Sequence, residues 1–136
     1  MSTDAVAPIH TLTTSECLRL LRSVAIGRLA VIVDGAPDVF PVNHLVDHGT
    51  VVFRTAQGTK LAASVGGRVA FEADGRDDDG TVWSVVLKGT ARQLRQLEEL
   101  VETEKMPLLP WHKGSKPFFV RVVPEEISGR RFAVDL

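Results

Sequence analysis

The chain has 136 residues and carries 16 basic against 17 acidic side chains, for a formal net charge of −1. That length makes one domain, and the missing basic excess argues against a nucleic-acid partner, because such proteins meet phosphates with surplus lysine and arginine. The single cysteine, Cys17, excludes an internal disulfide framework and any multi-cysteine metal centre.

The opening residues have no basic segment followed by an apolar run, and no stretch nears the roughly 18 apolar residues of a membrane span. The expectation is a cytoplasmic protein with no membrane partner. Residues 1–12 read as a flexible arm and residues 13–136 as a single domain. Thr13 and Glu16 have capping-box spacing. Behind them Cys17, Leu20, Leu21 and Val24 recur at helical spacing, and Gly27 ends that helix. Residues 28–34, 39–46 and 51–55 are apolar and rich in β-branched side chains. Turns at residues 34–37 and 47–49 separate them, so they read as an antiparallel meander. A short helix carries Leu61, Ala62 and Val65, and Gly66-Gly67 stops it. Residues 69–73 form a fourth strand and residues 74–80 a polar loop. Residues 81–94 form a long fifth strand in which Gly89 marks a bulge. Leu97, Leu100 and Val101 suggest another helix, residues 107–116 are irregular, and residues 118–123 make a sixth strand. Pro124 then bends the chain before a last strand ending near Phe132. Many short strands with tight turns and few helices suit a small β-barrel.

Several familiar signatures are absent. The glycines never fall as G-x-G, so there is neither a dinucleotide fingerprint nor a phosphate loop of the G-x-x-x-x-G-K type. Asp77-Asp78-Asp79 lacks EF-hand spacing and reads as a solvated turn. His44 and His48 are four apart on an extended segment, about 13 Å, too far to share one ion, and no metal site is expected. Cys17 lies on the apolar stripe of the first helix, where thiols are inert packing.

Two segments carry chemistry. Phe40-Pro41-Val42-Asn43-His44 places a proline and the chain's only asparagine inside an apolar strand. The Asn43 amide can meet a ligand edge of mixed donors and acceptors, or bridge strands. Farther on, Arg54 and Thr55 end a strand, Gly58 turns the chain, and Thr59 and Lys60 open a helix. Two cations, two hydroxyls and a helix N-terminus form a phosphate-binding pattern, or a capped helix with solvated cations.

Taken in order, these pieces resemble the pyridoxamine 5′-phosphate oxidase-like family of FMN-binding split barrels. The resemblance rests on residues 23–30, on Pro41-Val42-Asn43, and on Phe53-Arg54-Thr55 with Gly58-Thr59-Lys60. It extends through Trp83-Ser84-Val85-Val86 with Lys88-Gly89 and the tail at residues 123–132. It implies a mainly β, six-stranded split barrel with short peripheral helices, paired as a homodimer with FMN in the interface groove. Pro41, Val42 and Asn43 would line the flavin ring. Arg54, Thr55, Gly58, Thr59 and Lys60 would hold the phosphate, and Ser84 and Trp111 would contact the flavin. Val39 and His44 stand where the true oxidases carry an arginine and a lysine, so oxidation of pyridoxamine phosphate is not expected.

The resemblance implies a flavin-dependent oxidoreductase that moves hydride or electrons between a reduced nicotinamide and a small-molecule substrate, with His44 as the one candidate acid or base. The family also implies two alternatives: a flavin or haem carrier, with His44, His48 or His112 as haem ligand, or a deazaflavin-dependent reductase.

Overall fold

The computed structural model describes residues 9–56, 58–94 and 117–133. Helix α1 spans Thr14–Arg22. Its capping box forms as the spacing predicts: Thr13 Oγ1 accepts from the Glu16 amide at 3.1 Å, and Glu16 Oε1 accepts from the Thr13 amide at 2.9 Å. Cys17, Leu20 and Leu21 are buried on one face, as a helical stripe requires. The helix stops at Ser23, whose amide donates to Leu20 O at 3.0 Å, and not at Gly27. Gly27 lies inside strand β2, Ile26–Val33. It is a glycine there for steric reasons: a Cβ would sit 2.2 Å from Phe71 Cζ.

Strand β2 pairs with β3, Ala36–Asp47, and β3 with β4, Thr50–Ala56, so the predicted meander forms. Its turns are tighter than expected. Asp34 and Gly35 both have positive φ (53° and 76°), as do His48 and Gly49 (50° and 75°). Two consecutive residues at positive φ suit two-residue hairpin turns, whose twist matches the flanking strands. Ala36 and Pro37 therefore belong to β3. Helix α2 is a single turn, Lys60–Ala63, and leaves out Val65. Strand β5, Arg68–Arg76, continues into the region expected to be loop, so the acidic turn shrinks. Asp77 N donates to Thr81 O at 2.8 Å and closes it.

Strand β6 is Thr81–Gln93, and β7 is one strand, Pro117–Ala133, where the sequence suggested two with a bend. The reason is the bulge. The β6–β7 register shifts between Lys88 and Gly89, Gly89 faces Pro124, and a Cβ on Gly89 would lie 2.0 Å from Val123 O. Glu125 is the extra residue, bulged out of β7 next to the proline, and the strand runs on past it.

The sheet order is β7-β4-β3-β2-β5-β6, and β6 pairs back onto β7. Six strands thus close into the expected barrel. A seventh, β1 at His10–Thr11, pairs with Arg131 and Arg130 on β7, so the end of the arm is strand. Inward residues such as Leu29, Phe53, Phe71, Leu87 and Val120 fill the barrel, and α1 packs against them. Among the described residues no helix is long and apolar enough to cross a membrane. The helix expected around Leu97, the irregular stretch, Trp111 and His112 lie outside the described residues.

Candidate functional site

The wall of β3 is built by alternation. Val42 and His44 are buried and turn inward, while exposed Val39 and Pro41 and half-buried Asn43 face out. His44 N donates to Ala25 O at 2.9 Å, which fixes the ladder's parity. Even-numbered residues of β3 exchange backbone bonds with β2, and Pro41 opposite Arg28 is a non-hydrogen-bonded pair. A proline costs nothing toward β2 at that position. On the other side, the ladder to β4 covers only residues 44–47, because β4 leaves β3 and joins β7 through residues 51–56. The backbone of residues 39 and 41 faces that opening. Val42 turns its side chain into the barrel and its main chain toward Gly27 of β2.

Arg54, Thr55, Gly58 and Thr59 gather where β4 ends. Thr55 is buried, and its Oγ1 lies 3.1 Å from Thr59 Oγ1. Thr59 Oγ1 also accepts from the Ala62 amide at 3.1 Å and caps α2. Gly58 has a φ of 80°, the left-handed conformation glycine adopts without strain. The Arg54 guanidinium carbon is 5.8 Å from the centroid of the Phe119 ring, within cation–π range. Lys60 is the first residue of α2. The sequence promised a helix dipole here, but a helix of four residues has little macrodipole. Any anion would be met by the side chains and the Gly58 turn.

His44 is 3% exposed, so its ring belongs to the core. Its Nε2 lies 2.8 Å from Leu21 O. A carbonyl can only accept, so Nε2 carries the hydrogen and Nδ1 is bare. Nδ1 is buried with no hydrogen-bond partner, and the ring meets Phe71 edge-on at 4.7 Å. Burial pushes its pKa below the ordinary histidine value, against the pull of the Leu21 and Ala25 backbones, which favour the charged ring. This histidine pins the end of α1 to β3. With Nε2 committed to Leu21, it has no nitrogen at the surface for a haem or a substrate.

Ser84 faces outward on β6 and lines a groove of about 410 Å³ with Thr11, Val86, Ser128 and Arg130. In the ring of six, β6 is three strands from β3. Ser84 and Asn43 therefore sit on opposite walls, and one barrel cannot present both to one ligand.

Two charged groups escaped the sequence reading. Arg28 Nη2 bonds Glu72 Oε1 at 2.6 Å and lies 3.1 Å from Asp74 Oδ2, on the outer wall where β2 meets β5. Partial burial raises the Glu72 pKa, Arg28 opposes it, and Asp74 adds to it. The signal was available, because residue 28 on β2 and residues 72 and 74 on β5 are charges of opposite sign on the outward positions of alternating strands. Separately, Arg121 Nη1 reaches Asp47 Oδ2 at 3.0 Å and Thr50 Oγ1 at 2.6 Å, tying the β3–β4 turn to β7. Burial works against the Asp47 carboxylate, but His48 and Arg121 hold its pKa below the ordinary range. Among the described residues no three His, Cys, Asp or Glu side chains group as metal ligands.

The family model described as pyridoxamine 5′-phosphate oxidase matches residues 13–131. The chain belongs to this family. It is 33% identical to an uncharacterized protein of Mycobacterium tuberculosis, over 98% of this chain and 92% of that one. Among solved structures it is similar to the FAD-binding protein from Mycobacterium smegmatis, at 43% identity and a TM-score of 0.85, covering 93% of this chain and all of the other. It is also similar to a conserved protein of unknown function from Corynebacterium diphtheriae, at 39% identity and a TM-score of 0.80, covering 93% and 99%.

Proposed function

We propose that this protein binds a flavin nucleotide and works as a flavin-dependent oxidoreductase, with a reduced nicotinamide as donor and a small molecule as acceptor. The observation that carries the reading is the opening where β4 parts from β3. On this reading the outward side chains of Pro41 and Asn43 and the Arg54, Thr55 and Thr59 group at the end of the next strand act as one strip. Such a strip suits a ligand with a polar-edged ring at one end and a phosphate at the other. The 43% identical M. smegmatis protein is described as FAD-binding, which supports flavin as the ligand.

The residues fit the group by kind. Arg54 and Lys60 offer charge to a phosphate, while Thr59 and the Gly58 turn offer hydroxyl and amide donors. Thr55 holds Thr59 in place. The Asn43 amide offers donors and an acceptor to the ring edge. A bound flavin would supply the hydride and electron chemistry, and the chain supplies binding and orientation. Ser84 enters from a second copy, since it stands on the wall opposite Asn43. On this reading the protein acts as a homodimer with the ligand in the cleft between barrels.

The test is the visible spectrum of the purified protein, followed by titration with FMN, FAD and a deazaflavin, and then turnover with NADH or NADPH. FMN is the expected ligand, and tighter FAD binding would replace it. Binding without turnover would make the protein a carrier, and a Soret band after haem addition would favour a haem role. The absence of affinity for every flavin would refute the reading.

A further inference from the structure

We propose that the groove between β1, β7 and β6 binds the carboxylate of a small organic acid, with Arg130 as its counter-ion. The site belongs to one barrel and needs neither a flavin nor a second copy. That the acid is the substrate of the proposed oxidoreductase rests on the reading that Ser84 faces the flavin.

Strand register builds the site. Arg130 on β7 stands opposite Ser84 on β6 and opposite Thr11 on β1. Directly opposed side chains on one face of a sheet lie about 5 Å apart. All three point away from the core. Trp83 and Val85, which flank Ser84, are buried, and a Cβ on Gly129, beside Arg130, would sit 2.6 Å from Cys17 Sγ inside the barrel. Ser128 lines the same groove, two residues and about 7 Å from Arg130 along the strand. One guanidinium is thus ringed by three hydroxyls. Strand β1 has only two residues, yet its pairing with β7 supplies the groove's second wall.

The groove holds about 410 Å³, within the range of small-molecule sites. Its charge selects the head group. Among the described residues no carboxylate pairs with Arg130, whereas Arg131 beside it is held by Asp77 at 3.1 Å. On the far side of Ser84 stands Asp74, which lies 3.1 Å from Arg28. A single cation, with an acidic side chain one strand beyond, favours a monoanion over a phosphate dianion. The guanidinium fork matches the two oxygens of a carboxylate, and the hydroxyls donate to its remaining lone pairs. Val86, opposite Ser128, and Ile9, 60% exposed, line the groove and take the acid's apolar body.

The experiment is calorimetric titration of the full-length protein with benzoate and hexanoate, then with benzamide, hexanamide and inorganic phosphate. The acids should bind about tenfold or more tighter than the amides and phosphate. Arg130→Gln should remove that preference, and Thr11→Val and Ser128→Ala should each weaken acid binding about three- to tenfold. Lys88→Gln, farther along β6, should change nothing. Arg130 is exposed, so its substitution spares the fold, which an unchanged melting temperature checks. Acids that bind no tighter than their amides, or that bind Arg130→Gln as tightly as wild type, overturn the site. In the FMN-loaded protein a saturating acid should shift the visible spectrum of the flavin. Acid binding that leaves this spectrum unchanged overturns the substrate assignment. Acid binding by a protein with no affinity for FMN refutes the flavin reading and leaves the acid site standing.

Discussion

Replacing His44 with glutamine tests the reading that this histidine is neutral, core-packed and a clamp. Glutamine places an N–H near the position of Nε2, so the bond to Leu21 O can persist, but it cannot take up a proton. In the folded protein burial depresses the His44 pKa, outweighing the backbone contacts that favour the charged ring. In the unfolded chain the ring titrates near its ordinary value of about 6.5. Below that pH the unfolded state binds the extra proton, so stability is lost as pH falls. A ring that stays neutral when folded loses up to about 1.4 kcal/mol between pH 7.5 and 5.5. His44→Gln should cost roughly 1 kcal/mol at pH 7.5 through lost packing on Phe71, yet lack that slope. Urea unfolding of both proteins at three pH values measures it. Parallel pH dependences would refute the neutral, buried assignment.

Other expectations follow from single contacts. Gly27→Ala should destabilise by about 1–3 kcal/mol, because its methyl group would fall against Phe71 and 2.9 Å from Glu72 O. Thermal unfolding should show Phe71→Leu partly restoring it. Arg121→Ala should cost about 3 kcal/mol, since it removes a buried ion-pair partner and leaves the Asp47 carboxylate only its exposed His48 contact. The Asp47 pKa is depressed, so its contribution is present above pH 4 and is lost as pH falls through the folded value, which acid unfolding of wild type and Asp47→Asn should separate. Arg54→Ala and Lys60→Ala should each weaken FMN binding about tenfold or more, at about 1.5–3 kcal/mol per charged hydrogen bond. Unchanged affinity in both variants, read by flavin fluorescence, would put the phosphate elsewhere.

Local chemistry, written in neighbouring residues, was legible from the chain. Thr13 and Glu16 dictated a capped helix, β-branched alternation dictated strands, and Gly89 dictated a bulge. The candidate segments, Pro41 to Asn43 and Arg54 to Lys60, stood out because unusual residue types interrupt an apolar pattern. Tertiary structure decided what depends on pairing between distant strands. Pro124 looked like a break until Gly89 was found opposite it, and His44 looked like a ligand until Leu21 O claimed its nitrogen. The ion network at the β2–β5 seam joins residues 44 apart, which no local pattern records. Ring closure alone set Asn43 and Ser84 on opposite walls, because a six-stranded barrel turns its surface through half a circle in three strands. Residue types in the sequence marked the candidates for a ligand, and the closure of the sheet decided that Asn43 and Ser84 face different ways.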